Sequence, residues 1–542
     1  MNLLPLALLL LTLAAAAPGT FERHKPPKHS TRLSANPTTV SSIAPTTSPS
    51  ASATPSSASP TSPSATPTSA SASPTATGPT EPVTCPLTWN GTPLAGAPDG
   101  SGVCRYTIRY GSAKRFLDSV PATEYGNTSA LAPSCPQPED TATSLPATSS
   151  EDCLYLTLYV PSGARALPVL AWLHGSTSAA YSSGSDSKPG LNGTALASSS
   201  NIVVAEIQYR IGTLGFLAPK VTPFKDDPNF ALRDIVLALK TLKSRAGHYG
   251  GDGAKITLGG QGTGASLVRD WPLPPSTTEA WLTADLWRIM REQADQLAHP
   301  WRTRYLVPYF YPYRPTYGTA TLPSDPTKAL FNNPSSLAIS PASTPLLITY
   351  TADEGNTLIG RALPDPVPLN ASSYNASLGV VLDPTRAGKV MAPGSPYELP
   401  ATDSGDTLRH SVSRVVTDAY FRCPARSLAA GYAAAGGKVY VAEWTQGLPY
   451  PTNSNALCTG KVCHGDDIYP TFGTSPSPGP LEAEVQAAWA SFITTGAISW
   501  TQFPAGGSVD GTNVKALGGG AVGACPANYW GSTVKHDWQM AV

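Results

Sequence analysis

The residues of greatest chemical interest form a glycine-rich stretch at 258–265 that reads Leu-Gly-Gly-Gln-Gly-Thr-Gly-Ala. Its spacing matches the G-x-S-x-G nucleophile elbow, in which the central serine attacks a carbonyl carbon during acyl transfer. Here the central position is Gly262, which carries no hydroxyl. The sequence therefore predicts the turn of a nucleophile site without its nucleophile.

The segments on either side of this stretch have the patterns that an elbow requires. Residues 255–258 form a short strand pattern that includes β-branched side chains, and residues 265–268 begin a helical pattern directly after the glycines. We expect a strand, a sharp turn and a helix in that order. Thr263 and Ser266 offer hydroxyls nearby, but the elbow aims only its central side chain at the pocket, so we do not expect either to replace serine.

The first 82 residues differ in composition from the rest. Residues 1–17 contain an apolar run that ends in small residues, which is typical of a secretory signal peptide. Residues 18–82 become almost entirely Ser, Thr, Pro and Ala from about residue 30, with too few large apolar groups to offset the entropy of ordering. We predict a disordered stalk that serves as a spacer or as a wall anchor.

Residues 83–542 are long enough for one large α/β domain. The formal net charge is +0 and only 13% of residues are charged, which disfavours nucleic acid and anionic membrane surfaces as partners. We find no apolar run that predicts a membrane span, no lipid-anchor signal at the C-terminus, and no metal or nucleotide motif. We therefore expect a secreted protein without a cofactor, either free outside the cell or associated with the wall.

Cysteine content and glycosylation triplets agree with export. Eight cysteines in an exported chain predict disulfides, because their spacings do not repeat the C-x-x-C pairs of zinc sites. Consensus triplets for N-glycosylation occur at Asn90, Asn127, Asn192, Asn370 and Asn375.

Five ordered segments resemble the type-B carboxylesterase and cholinesterase family, in particular its secreted, fungal-type members. The matching segments are residues 150–156, 167–175, 208–216, 228–234 and 421–424. The resemblance implies an α/β-hydrolase fold, with a central, mostly parallel twisted sheet flanked by helices. It covers residues 100–268 and 340–505 well, the interval between them poorly, and the stalk not at all.

The resemblance also assigns the remaining catalytic positions. The family's acid is the glutamate of an Asp-Glu-Gly turn that follows a parallel strand, and Glu354 stands at that position. The family's histidine precedes a glycine and acidic residues, which places the base at His464. The order elbow, acid, histidine is that of the α/β-hydrolases.

The sequence departs from the family pattern at the oxyanion hole. The family has His-Gly-Gly-Gly where this chain has His-Gly-Ser-Thr at 174–177. We expect Gly175, Ser176 and Thr263 at this site, with Cβ atoms hindering the approach that glycine permits. Loss of one donor of an oxyanion hole costs about 3 kcal/mol.

A further departure follows the elbow helix, where residues 270–340 do not match the family. The best strand candidate in this interval is 304–307, and three prolines crowd its end. The sequence predicts that one strand of the sheet is missing or improvised. An atypical domain and a mis-spliced gene model both fit this break.

Several pairings follow from the resemblance and from proximity. Matching cysteines imply Cys135–Cys153 and Cys423–Cys525, whereas proximity suggests Cys85–Cys104 and Cys458–Cys463. The resemblance also implies two ion pairs, Arg210 with Asp234 and Arg115 with Glu151.

Two function classes remain open from the sequence. The first is a non-catalytic member of the family that binds a small ester, another hydrophobic ligand or a protein partner. The second is a weak carboxylic ester hydrolase that uses water activated by His464 and Glu354. The absence of a nucleophile serine favours the first class.

Overall fold

The structure of the protein is a computed structural model. It describes residues 85–99, 101–136, 149–175, 191–217, 226–269, 315–337, 340–536 and residue 539. The predicted signal peptide, the stalk, Ser176 and the strand candidate at 304–307 lie outside the described residues.

The described part of the chain contains thirteen strands. In chain order they are β1 (Pro86–Trp89), β2 (Thr92–Ala95), β3 (Ala97–Pro98), β4 (Val103–Arg109), β5 (Gly111–Ser112), β6 (Val120–Pro121), β7 (Tyr155–Pro161), β8 (Leu167–Leu173), β9 (Val203–Ile207), β10 (Gly251–Gly260), β11 (Leu346–Thr351), β12 (Val439–Trp444) and β13 (Lys515–Leu517).

Twelve α-helices accompany these strands in the described residues. They are α1 (Thr194–Ser200), α2 (Gly212–Phe216), α3 (Phe230–Arg245), α4 (Thr263–Arg269), α5 (Pro326–Asn332), α6 (Glu354–Ala362), α7 (Ala371–Val381), α8 (Pro384–Val390), α9 (Thr407–Val416), α10 (Cys423–Ala434), α11 (Ile468–Phe472) and α12 (Pro480–Thr495). A π-helix, Thr417–Arg422, joins α9 to α10.

Six strands form the larger sheet in the order β10-β8-β9-β7-β4-β3. The pairs β10–β8 and β8–β9 are parallel, whereas β9–β7, β7–β4 and β4–β3 are antiparallel. All five residues of β9 are buried, because helices cover both faces of a sheet of this kind. Alternate residues of β9 accordingly enter different cores, Val203 and Ala205 on one face and Val204 on the other. The predicted α/β-hydrolase architecture is confirmed, with a mixed sheet.

The second sheet is parallel and contains β11, β12 and β13 in that order. The middle strand, β12, is fully buried, whereas the first four residues of β11 are only half-buried. Within the described part of the chain β10 is an edge of the larger sheet, and most of its residues are exposed or half-buried.

One helix, α12, packs against both sheets. Thr257 Oγ1 of β10 donates to the carbonyl oxygen of Ile493 over 3.5 Å, and Phe492 contacts Tyr440 of β12 edge to face at 6.3 Å. Among the described residues no strand lies between β10 and β11. The strand candidate at 304–307 lies outside the described residues, so the missing strand stays a prediction.

The eight cysteines pair as the sequence suggests. The disulfides are Cys85–Cys104, Cys135–Cys153, Cys423–Cys525 and Cys458–Cys463. The Cys423–Cys525 bridge joins the first residue of α10 to the C-terminal segment across 102 positions of sequence. Bridges that close long loops restrict the unfolded chain most.

Both expected ion pairs are present. Arg115 Nη2 lies 2.6 Å from Glu151 Oε1, in a half-buried site. Arg210 Nη2 lies 2.7 Å from Asp234 Oδ1, and the Asp234 side chain is fully buried. Arg210 also donates to the carbonyl oxygen of Leu117, so this pair fixes an N-terminal loop to the start of α3.

The five predicted glycosylation sites differ in exposure. Asn90, Asn127, Asn370 and Asn375 are exposed, whereas Asn192 is half-buried and its Nδ2 lies 3.4 Å from Asp99 Oδ2. A glycan on Asn192 would have to displace that contact, so glycosylation at the four exposed sites remains the simpler expectation.

We predict that Asp234→Asn destabilises the protein strongly, because it leaves the Arg210 guanidinium buried without its counter-charge. Breaking such a pair typically costs about 3–5 kcal/mol. Denaturant unfolding measures the change. The matched control is Asp152→Asn, whose pair with Arg109 is 2.7 Å long but partly exposed at both ends. We expect the control to cost no more than about 1 kcal/mol. Equal losses in the two variants would contradict the prediction.

Candidate active site

The turn between β10 and α4 has the geometry expected of the elbow. Gly262 adopts φ +59°, a left-handed conformation that residues with a Cβ atom rarely adopt. The turn is closed by the Gly264 N–H, which donates to the Gln261 carbonyl oxygen over 2.9 Å, and by the Ser266 N–H, which donates to the Gly262 carbonyl oxygen. The elbow therefore forms with glycine at its centre.

The neighbouring glycines are required by close packing. A Cβ atom on Gly264 would lie 2.2 Å from the carbonyl oxygen of Leu173 at the end of β8. A Cβ atom on Gly175 would lie 1.6 Å from the carbonyl oxygen of Gln261. No side chain fits at either distance. These glycines let the backbone that follows β8 lie against the elbow, and their presence has a packing explanation that needs no catalysis.

Glu354 and His464 come together at the carboxyl ends of the second sheet. Glu354 follows β11 and begins α6, where the helix N-terminus stabilises a carboxylate. Its Oε1 accepts from the Thr351 N–H over 2.8 Å, and its Oε2 lies 2.5 Å from His464 Nδ1. Both residues are buried. The structure thus brings together the acid and base positions that the sequence predicts 110 residues apart.

The loop that carries His464 is held by several contacts. The Cys458–Cys463 disulfide ends directly before the histidine. Asp466 Oδ2 accepts from the Cys463 N–H over 2.7 Å, and Asn453 Nδ2 donates to the His464 carbonyl oxygen over 3.0 Å. These contacts fix the backbone on both sides of the imidazole.

Opposing effects act on the pKa of His464. Burial disfavours the charged imidazolium, whereas the charge of Glu354 and its hydrogen bond favour it. The carboxylate prevails, and the pKa of His464 is raised above its ordinary value.

A second carboxyl group, that of Asp467, lies close to this pair. Burial and repulsion by Glu354 raise its pKa to about 7, with a partial offset from His464. The sequence motif contains Asp467, but the sequence gives it no role, because its pKa depends on a burial that only the fold creates.

The sequence does not predict the contact between Gln261 and His464. The Gln261 Nε2 lies 3.1 Å from His464 Nε2, the ring nitrogen that Glu354 does not contact. Gln261 comes directly before Gly262 in the elbow. A side chain of the elbow therefore does contact the base, but it is the amide of Gln261.

The two nearby hydroxyls do not take the place of serine. The Thr263 side chain hydrogen-bonds to the phenol oxygen of Tyr209. Ser266 is half-buried on α4, and its side chain forms no hydrogen bond with His464 in the described structure. These positions agree with the geometric argument made from the sequence.

The described part of the expected oxyanion hole contains Gly175 and Thr263, the residue that begins α4. His174, which precedes Gly175, is buried and stacks on Tyr209 with ring centroids 4.6 Å apart. Burial lowers the pKa of His174 to about 3, so the ring is neutral at physiological pH. His174 thus supports the backbone near the elbow without adding charge.

Comparisons with known proteins agree with this arrangement of fold and site. A thermophilic PNB esterase of known structure superposes with a TM-score of 0.59 at 22% identity, over 78% of this chain and 94% of that chain. This likeness shows the α/β-hydrolase fold. The profile of the Carboxylesterase family matches residues 106–280 and 281–509. The chain belongs to the carboxylesterase family.

Individual relatives differ in how much of the chain they match. Para-nitrobenzyl esterase of Bacillus subtilis is 26% identical over 478 residues, which cover 77% of this chain and 88% of that protein. Neuroligin-2 of Homo sapiens is 36% identical over 141 residues, which cover 22% of this chain and 16% of that protein. The fumonisin B1 esterase of Sphingopyxis macrogoltabida is 37% identical over 126 residues, 22% of this chain and 23% of that protein.

We predict that Gly262→Ser lowers the melting temperature, because a residue with a Cβ atom at φ +59° carries strain of about 1–3 kcal/mol. Differential scanning calorimetry of the purified variant measures the change. The control is Gly388→Ser in α8, where a Cβ atom meets nothing within 4 Å and the backbone is helical. We expect the control to leave the melting temperature unchanged or to raise it. An unchanged or raised value for Gly262→Ser would count against strain at this turn.

Proposed function

We propose that the protein is a secreted member of the carboxylesterase family that has lost acyl-enzyme catalysis and acts as a non-catalytic binding protein. The observation that carries the proposal is Gly262 at the centre of the elbow. Acyl transfer needs an oxygen or sulfur nucleophile within reach of the base, and glycine supplies neither.

The surroundings of Gly262 support the loss of activity. The elbow side chain that contacts His464 is Gln261, and an amide neither attacks an ester nor accepts a proton at neutral pH. The Thr263 hydroxyl is engaged with Tyr209. In subtilisin, removal of the serine lowers kcat on the order of 10⁶-fold, which sets the scale of the expected loss.

Export is part of the same proposal. Four disulfides within the described residues fit an oxidising compartment, and the apolar N-terminal run has the composition of a signal peptide. None of the described helices is long and apolar enough to cross a membrane. The ligand class that we propose is a small ester, another hydrophobic molecule, or a protein partner, with association to the cell wall through the stalk.

A second candidate function rests on Glu354 and His464, which form the hydrogen-bonded pair of acid and base. In this alternative the imidazole activates a water molecule for slow hydrolysis of carboxylic esters. Its test is also the test of the main proposal.

We expect purified mature protein to hydrolyse a short-chain nitrophenyl ester no faster than its His464→Ala variant, because Gly262 offers no nucleophile to form an acyl-enzyme. Release of nitrophenol, measured with host esterases removed, compares the two proteins. Turnover in the unmodified protein that disappears in His464→Ala would contradict the main proposal and support the water-based hydrolase.

A further inference from the structure

The hydrogen bond between Gln261 and His464 has a consequence beyond the missing serine. We propose that Gln261 is a positioning residue. Its amide hydrogen-bonds to Nε2 of His464 and so prevents this nitrogen from accepting a proton from a hydroxyl or from water. The loss of activity then has two causes, the missing nucleophile at position 262 and the hydrogen bond that engages Nε2 of His464. Serine at position 262 alone would not restore an efficient site.

The first step of the argument is the hydrogen-bond inventory of the imidazole. The Gln261 amide nitrogen only donates, so in the neutral ring His464 Nε2 accepts the contact of 3.1 Å. The Nδ1–H then donates to Glu354 Oε2 over 2.5 Å. Both ring nitrogens are thereby engaged in the neutral tautomer.

The second step concerns proton transfer. A base accepts a proton from a hydroxyl or from water through the lone pair of Nε2. In this protein that lone pair points at an amide N–H, which does not give up its proton at neutral pH. A proton can reach His464 only after the Gln261 side chain has moved.

The third step is that the backbone of Gln261 is fixed. Its N–H donates to the Leu173 carbonyl oxygen over 3.3 Å, and its carbonyl oxygen accepts from the Gly264 N–H. The same carbonyl oxygen lies against Gly175, at a distance that leaves no room for a Cβ atom. With this backbone held in place, rotation about the side-chain torsions of Gln261 would release the imidazole.

Charge also favours an amide at this position. Glu354 and Asp467 raise the pKa of His464, Arg361 lowers it, and His464 in turn acts on Asp466. Three carboxyl groups therefore already act near the ring. The neutral side chain of Gln261 contacts Nε2 without adding a fourth carboxyl group near the ring.

The first test replaces the donor and measures the pKa of His464 by NMR in protein labelled with 13C-histidine. The resonance is assigned by its loss in His464→Ala. A donor to Nε2 stabilises the neutral ring, so Gln261→Met should raise the pKa of His464 by about 0.5–1 pH unit, the size of one neutral hydrogen bond. Gln261→Glu should raise it further, because a carboxylate stabilises the imidazolium.

The matched control is Gln486→Met on α12, whose amide oxygen accepts from Ser199 Oγ over 2.8 Å. This control makes the same replacement of glutamine by methionine at a site that does not contact His464. It should leave the pKa of His464 unchanged. A pKa of His464 that is unchanged or lowered in Gln261→Met would overturn the proposal, because the amide would then be absent from Nε2 or would accept from it.

The second test measures nitrophenyl ester hydrolysis in Gly262→Ser with and without Gln261→Met. We expect the double variant to exceed Gly262→Ser by about three- to tenfold, the factor that corresponds to one neutral hydrogen bond released. Equal rates in two folded, active variants would overturn the proposal. The NMR test uses protein with Gly262 intact, so it decides even if the serine variants fail to fold. It also separates the two claims: hydrolysis by the unmodified protein would end the proposed loss of function without changing the expected pKa shifts.

Discussion

The structure around the candidate site depends on the close approach of two backbone segments, the elbow after β10 and the end of β8. Gly262 provides the left-handed conformation at the tip of the turn. Gly175 and Gly264 provide the contact surface, where a Cβ atom would fall within 2.2 Å of a carbonyl oxygen. Because this contact sets the position of Gln261 relative to His464, it fixes the site whether or not chemistry takes place there.

Glycine at the centre of the elbow suits this constraint better than serine does. The left-handed turn carries strain for any residue with a Cβ atom, and catalysis is the reason for accepting that strain in an active hydrolase. Without catalysis the strain has no compensation. Glycine relieves it, and the amide of Gln261 satisfies the histidine that would otherwise be buried with an open lone pair. The scaffold of the elbow thus remains intact with glycine in place of a nucleophile side chain.

The sequence predicts most of the fold and part of the site. The elbow, the approach of Glu354 to His464, the disulfides and the buried pair of Arg210 with Asp234 all follow from local motifs in a known chain order. The contact of Gln261 with His464 does not, because it joins residues 203 positions apart and depends on a side-chain conformation. The raised pKa of Asp467 has a similar origin, since burial and the nearby Glu354 cause it.

The claim that acyl-enzyme chemistry is lost is tested most directly by covalent trapping. The purified protein is incubated with an alkyl fluorophosphonate, which phosphonylates an activated serine or threonine, and its intact mass is recorded. We expect no gain in mass relative to His464→Ala treated in the same way. A stoichiometric adduct that depends on His464, located by peptide mapping at Thr263, Ser266 or another hydroxyl, would show that a nucleophile survives and would contradict the account.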